Sequence, residues 1–302
     1  MSGTQVTSGR AGFGQSAALT TFHRAQKARR AVVLALAYAL TTVLAVLFLF
    51  PFLWMVSSSL KTPQELVRIP PTLIPETWAW NNYIDAWKSQ PFAVYFRNSA
   101  VITALNVVGR VTSCSLVAFG FARTRFPGRD FLFVVLLSTM MLPSQVTMIP
   151  QYLLFRELDW INTIRPLTVP AFFGNAFHIF LLRQFFMNLP LELDEAALMD
   201  GANRWSIYWR IVMPLSRPIL LTILVFTFIG SWNDFFGPLL YLSTVDQMTI
   251  AVGLTYFRDQ FGGPFHQLMA ASVMAVVPII VVFFLAQRYF ITSIIMTGLR
   301  EG

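Results

Sequence analysis

Six long apolar runs, at roughly 31–56, 99–121, 131–154, 166–187, 217–241 and 268–290, constrain this chain more than any other feature. Each exceeds the ~20 residues that cross a bilayer core as a helix. In hydrocarbon every backbone N–H and C=O must be paired inside the chain, which leaves helices as the economical way to span. The apolar residues come in blocks and do not alternate, which argues against strands. The expected fold class is an all-α polytopic membrane protein with six transmembrane helices. Pro143, Pro150, Pro170 and Pro278 fall inside these runs and should kink or locally unwind them.

Composition agrees. With 56% hydrophobic and only 12% charged residues, the chain lies outside the range of ordinary soluble domains. Its net charge of +8 raises the question of nucleic acid. No dense basic patch with interleaved aromatics occurs, so no nucleic-acid partner is expected and a positive-inside bias accounts for the charge. The single Cys114 excludes an internal disulfide framework and any cysteine-based metal cluster. Residues 1–30 read as a disordered cytoplasmic tail. The run 31–56 is too long for a signal core and lacks a small-residue cleavage site, so it reads as an uncleaved first span. Residues 31–302 then form one membrane domain in contact with lipid.

Orientation follows from lysine and arginine. With the N-terminus inside, the inner segments hold 14 of the 22 basic residues and the outer segments 7. Arg110 is intramembrane. Both termini and the segment 190–214 are therefore expected in the cytoplasm.

That segment, PLELDEAALMDGANRWSIYWRIVMP, mixes acids, bases and aromatics at helical spacing between apolar runs. Pro190 suits a first helical turn, and Glu192, Asp194 and Glu195 place negative charge where the helix dipole favours it. Gly201 can take the left-handed conformation that closes a helix. A second short helix should start from Asn203 as N-cap and stop before Pro214. The expected result is a polar helix–turn–helix knob with an acidic tip.

Three intramembrane polar residues, and the neighbours of one of them, are candidates for a translocation path. Arg110 could line it, pair with Asp234 or face another subunit; its insertion costs roughly 2.5–3.5 kcal/mol. His178 reads either as a packed helix residue or as part of the path. Asp234, in SWNDFFGP, lies late in the fifth run, where Asn233 and Trp232 would offer hydrogen bonds and a stacking face to a sugar; helix capping beside Gly237 is the alternative. Gly109, Ser113 and Ser115 read as places where helices approach closely.

Catalytic signatures are missing. None of Lys27, Lys61 and Lys88 follows a glycine, so no Walker A loop is present. The three histidines form no HExxH pair, and no GxSxG elbow occurs. The chain is not expected to be an enzyme, nor to hold a cofactor or metal.

The spacing Glu195-Ala196-Ala197, three residues, Gly201, nine residues, Ile211, one residue, Met213-Pro214 resembles the EAA motif of ABC-importer permeases, with Met213 where that motif has leucine. AFGFARTRFPGRD, SWNDFFGPL and the tail AQRYFITSIIMTGLREG resemble the maltose-type carbohydrate branch, and the chain is similar to its second, smaller permease subunit. The resemblance covers about residues 50–302. It implies a cytoplasmic coupling helix in which Glu195, Ala196, Ala197, Asp200, Gly201, Ile211 and Pro214 meet a separate ATPase. It implies two ATPase copies that bind ATP and Mg, a second permease and an extracytoplasmic solute-binding protein. A loop near 253–266, tipped by Gly262, Gly263 and Pro264, would reach that binding protein. It also implies residence in a bacterial inner membrane and alternating access. The cargo implied is a di- or oligosaccharide of trehalose or maltose type, with glycerol phosphates and polyols as the alternative. A stand-alone secondary transporter is the reading from another class.

Overall fold

The computed structural model describes residues 12–257 and 263–298, and every regular element among them is helical. Two compact units are distinguished, 1–57 and 58–302.

The described part of the first unit is helical and belongs to α1 (Gly12–Ser59). From Val32 to Leu53 large apolar side chains are exposed on every face, as a lipid-facing span requires. The helix begins at Gly12, inside the stretch expected as a disordered tail. Residues 12–30 contain alanine, glutamine, lysine and arginine and no proline, so nothing in them stops a helix from extending back from the span. Residues 1–11 lie outside the described part.

The second unit is built around α3 (Phe92–Arg123), which follows the short α2 (Asn81–Ser89). At 1.5 Å per residue α3 is about 48 Å long. Next come α4 (Arg129–Ser138), α5 (Ser144–Glu157), α6 (Ala176–Met187), α7 (Glu192–Met199), α8 (Arg204–Ile207), α9 (Arg217–Trp232), α10 (Phe236–Tyr241) and α11 (Phe265–Gly298). Among the described residues three helices are long and apolar enough to cross a bilayer alone: Arg29–Ser59, Phe92–Arg123 and Phe265–Gln287. Counting each bent pair as one span raises that to five.

Proline explains most of the difference from six uninterrupted spans. The third run breaks before Pro143, where the chain turns by 96° between Arg129–Met141 and Ser144–Glu157. The fourth run carries Pro166 and Pro170, which remove two backbone donors. It becomes a single turn Arg165–Thr168, a 3-10 turn Val169–Phe173 and then α6. Pro150 and Pro278 sit inside α5 and α11 without interrupting them.

Two apolar clusters pack along α3. Phe92 and Tyr95 near its start join Trp232, Ile250, Ala270 and Ala271. Cys114, Ala118 and Phe119 near its end join Leu182, Phe186, Tyr208, Val212 and Ile223. Asn106 and Arg110 lie between the two clusters. Gly109 permits the close crossing there: a Cβ on it would sit 2.9 Å from the Phe172 ring. Ser113 Oγ donates to the Ala171 carbonyl across the same crossing, at 3.1 Å.

The segment after α1 is tied down by side chain–backbone hydrogen bonds. Asn82 Nδ2 donates to the carbonyls of Ser59 and Lys61, both at 2.9 Å. Lys61 Nζ donates to the Thr72 carbonyl. Trp78, Trp80 and Trp87 remain exposed.

Candidate functional site

The knob at 190–214 forms as two short helices. Its acidic first turn contains Glu192, Asp194 and Glu195, and no residue of α7 is buried. At the other end Gly201 takes φ +81°, Gly201 N–H donates to Leu198 C=O at 3.0 Å, and Ala202 N–H to Ala197 C=O at 2.9 Å. This pair of bonds is a Schellman closure, which needs a left-handed residue at Gly201. Asn203 then caps α8, its Oδ1 accepting from Ser206 N–H at 2.8 Å.

The second helix does not stop before Pro214. It widens into a π turn at Tyr208–Val212 and continues as Met213–Leu215 before breaking at Ser216. The π turn restarts the helix so that Pro214 falls in the first turn of the piece that follows, where its missing N–H is tolerated.

The knob's residues divide between two faces. Ala197 and Ile211 are partly buried against the apolar cluster at the end of α3. Glu195, Ala196, Asp200, Gly201 and Pro214 are exposed. Around the acids stand exposed apolar side chains, with Met199 89% and Trp205 58% accessible. A face with acids at its tip and apolar groups beside them suits docking into a protein cleft.

Arg123, at the last turn of α3, fastens this knob. Its Nη2 donates to the carbonyls of Phe186 (2.7 Å) and Leu189 (2.8 Å), at the end of α6. Its Nη1 lies 3.4 Å from Asp194 Oδ2. Arg204 Nη1 returns a bond to the Arg123 carbonyl at 3.0 Å. Further in, Ser115 Oγ and Tyr208 OH are 2.7 Å apart, and Phe119 meets the Tyr208 ring edge-on. Sequence reasoning counted Arg123 only among the inward-side charges; its position at a span end beside a Pro-Gly turn was the available signal.

The candidate path residues come together only in part. Arg110, His178 and Asp234 line one cavity of about 380 Å³, with Asn106, Asn175, Thr227 and Ser231. Asn106 Nδ2 donates to Ser231 Oγ at 2.9 Å and joins α3 to α9 across it. Among the described residues no ion pair joins Arg110 to Asp234. Asp234 does cap: its Oδ1 accepts from Gly237 N–H at 3.1 Å while the residue also faces the cavity.

Trp232 and Asn233 do not belong to this cavity, contrary to the expected stacking platform. Trp232 is 4% exposed, its ring is stacked on Phe228, and its Nε1 donates to Ala275 C=O at 2.9 Å. Helical rotation places it on the core side of α9, away from Ser231 and Asp234. Asn233 is exposed and donates to Ile229 C=O. Gly263 and Pro264 immediately precede α11, whereas Gly262 lies outside the described residues. Among the described residues no group of three or more histidine, cysteine or acidic side chains could hold a metal ion.

The family described as binding-protein-dependent transport system inner membrane component matches residues 114–295. The probable ABC transporter permease protein YurM of Bacillus subtilis is 35% identical over 246 residues, 81% of each chain. The arabinooligosaccharides transport system permease protein AraQ of Halalkalibacterium halodurans is 32% identical, over 85% of this chain and 93% of its own. The sn-glycerol-3-phosphate transport system permease protein UgpE of Yersinia enterocolitica is 35% identical, over 82% and 91%. A chain of a bacterial ABC transporter involved in importing the acidic polysaccharide alginate superposes with TM-score 0.77 at 24% identity, covering 84% of this chain and 95% of that one. At that identity the likeness shows the fold.

Proposed function

The chain belongs to the binding-protein-dependent transport system inner membrane components, and we infer from that premise that it is the second, smaller permease subunit of a carbohydrate importer. The observation that carries the coupling role is the exposed acidic knob fastened to the end of α3 by Arg123. Glu195, Ala196, Asp200, Gly201 and Pro214 form the face offered to the ATPase, and Ala197 and Ile211 hold that face on the bundle. Two ATPase copies bind ATP and Mg and hydrolyse the nucleotide, while this chain is non-catalytic. A second permease completes the pathway, and an extracytoplasmic solute-binding protein delivers cargo near the Gly262, Gly263 and Pro264 loop. Both termini and the knob lie on the cytoplasmic side.

Transport runs by alternating access. Closure of the ATPase dimer moves the knob; because α7 is clamped to α6 and α3, the displacement reaches the helices that line the Arg110–His178–Asp234 cavity. A rigid connection with two arrangements is what such transmission needs. Relatives carry arabinooligosaccharides and glycerol phosphate, so the cargo is assigned to carbohydrates, with a glycerol-phosphate or polyol cargo as the second reading.

The test is mild-detergent purification of the tagged chain from its native membrane, beside Glu195→Lys. Wild type should bring down an ATPase and a second permease, and the variant should insert but lose the ATPase. Normal ATPase recovery and transport with Glu195→Lys would overturn the coupling role.

A further inference from the structure

The cavity between the two apolar clusters has two chemically different walls. On one side Arg110 from α3 and His178 from α6 face it, with Asn175 at the start of α6. Among the described residues Arg110 has no carboxylate within ion-pair distance, and His178 Nδ1 is buried without a hydrogen-bond partner. Asn175 Oδ1 already accepts from His178 N–H at 3.2 Å, so its Nδ2 is the end left to donate. On the other side stand Thr227 and Ser231 of α9 and the acid Asp234, which is engaged in capping Gly237.

A guanidinium held in a span without a counter-charge is costly, and such residues mark substrate or ion pathways. Its planar fork matches a carboxylate or phosphate with two parallel hydrogen bonds. The opposite wall, with two hydroxyls and a carboxylate, suits the hydroxyl groups of a sugar. Arg110, His178 and Asp234 are the cavity's titratable groups, and the acid stands on the far wall, just past the end of α9.

We propose that this cavity selects a sugar or polyol carrying an anionic group, a carboxylate or a phosphate, with that group docked between Arg110 and His178. This rests on the importer reading above and narrows its cargo. The charge of Arg110 is then completed by the cargo during transport, and a neutral saccharide leaves it unpaired.

The experiment uses the complex recovered through a tag on this chain. Binding of glucose, glucuronate and glucose 6-phosphate is measured by thermal shift titration, without the binding protein, for wild type, Arg110→Gln, Arg110→Lys and His178→Gln. At least one anionic probe should bind wild type about tenfold or more tighter than glucose, the difference expected for one charge-assisted hydrogen bond. Arg110→Gln should abolish that preference, Arg110→Lys should keep part of it, and His178→Gln should reduce it. Which anionic probe wins separates a carboxylate from a phosphate cargo. Equal binding of all three probes to an intact wild-type complex overturns the proposal alone. So does loss of the second permease from Arg110→Gln but not Arg110→Lys, which would assign the charge to an inter-subunit ion pair. Recovery of the chain without any ATPase would overturn the importer reading beneath it.

Discussion

Arg123 and Asp194 lie 71 positions apart in sequence and 3.4 Å apart in space, with the arginine side chain 1% and the carboxylate 15% accessible. The same guanidinium satisfies two carbonyls at the end of α6, so one buried cation joins α3, α6 and the knob. Arg110 lies 13 residues earlier on α3, about 20 Å along the helix. The knob and the cavity are thus joined by the C-terminal part of one helix, which runs from Arg110 at its middle to Arg123 at its end.

Removing the cation should free the knob. Arg123→Ala removes one hydrogen bond from each of two carbonyls and leaves a mostly buried carboxylate without its partner, at a cost of roughly 3–5 kcal/mol. Faster proteolysis within 190–214, together with ATP hydrolysis no longer matched by transport, is the expected signature. Arg123→Lys should recover part of the coupling, and Asp194→Asn should cost less, about 1 kcal/mol or below, because the pair is long and the acid partly solvated. Wild-type proteolysis and coupling in Arg123→Ala would remove the anchor from this account.

The glycine of the knob acts through conformation and not through space. At φ +81° a Cβ on Gly201 meets nothing within 4 Å. Gly201→Val should therefore lose about 1–2 kcal/mol by left-handed strain alone and impair coupling. Gly201→Asn, which tolerates that region, should remain near wild type. Equal damage from both substitutions would point to an ATPase contact made at the glycine itself.

Trp232 should behave as a core residue. Trp232→Phe loses the bond to the Ala275 carbonyl, about 1 kcal/mol, and should leave the apparent KM for cargo unchanged. Trp232→Ala should cost roughly 3–5 kcal/mol in complex stability. A raised KM with unaltered stability would instead restore the sugar-stacking role.

Ser115 and Tyr208 offer a double-mutant cycle across the α3–knob contact. Their hydroxyls are 2.7 Å apart in a buried setting. Ser115→Ala, Tyr208→Phe and the pair should give a coupling energy of about 1 kcal/mol in thermal denaturation of the complex. Strict additivity would show that the bond contributes nothing.

The sequence by itself determined the membrane class, the helical fold, the acidic first turn of α7, the turn at Gly201 and the cap at Asn203. Each is a local matter: apolar run length, backbone conformation, or a side chain reaching its own neighbouring amides. The close crossing at Gly109 and Ser113 was legible for the same reason, since small residues in a span have few other uses. What only the tertiary structure decided depends on where helices come to rest against one another. Trp232 and Asp234 are two residues apart, yet the last turn of α9 sends Trp232 to the core while Asp234, in the break before α10, faces the cavity. Arg110 and His178, 68 positions apart, share a wall only because α3 and α6 pack at that level, and Arg123 is an anchor only because the carbonyls of Phe186 and Leu189 at the end of α6 come to rest within its reach.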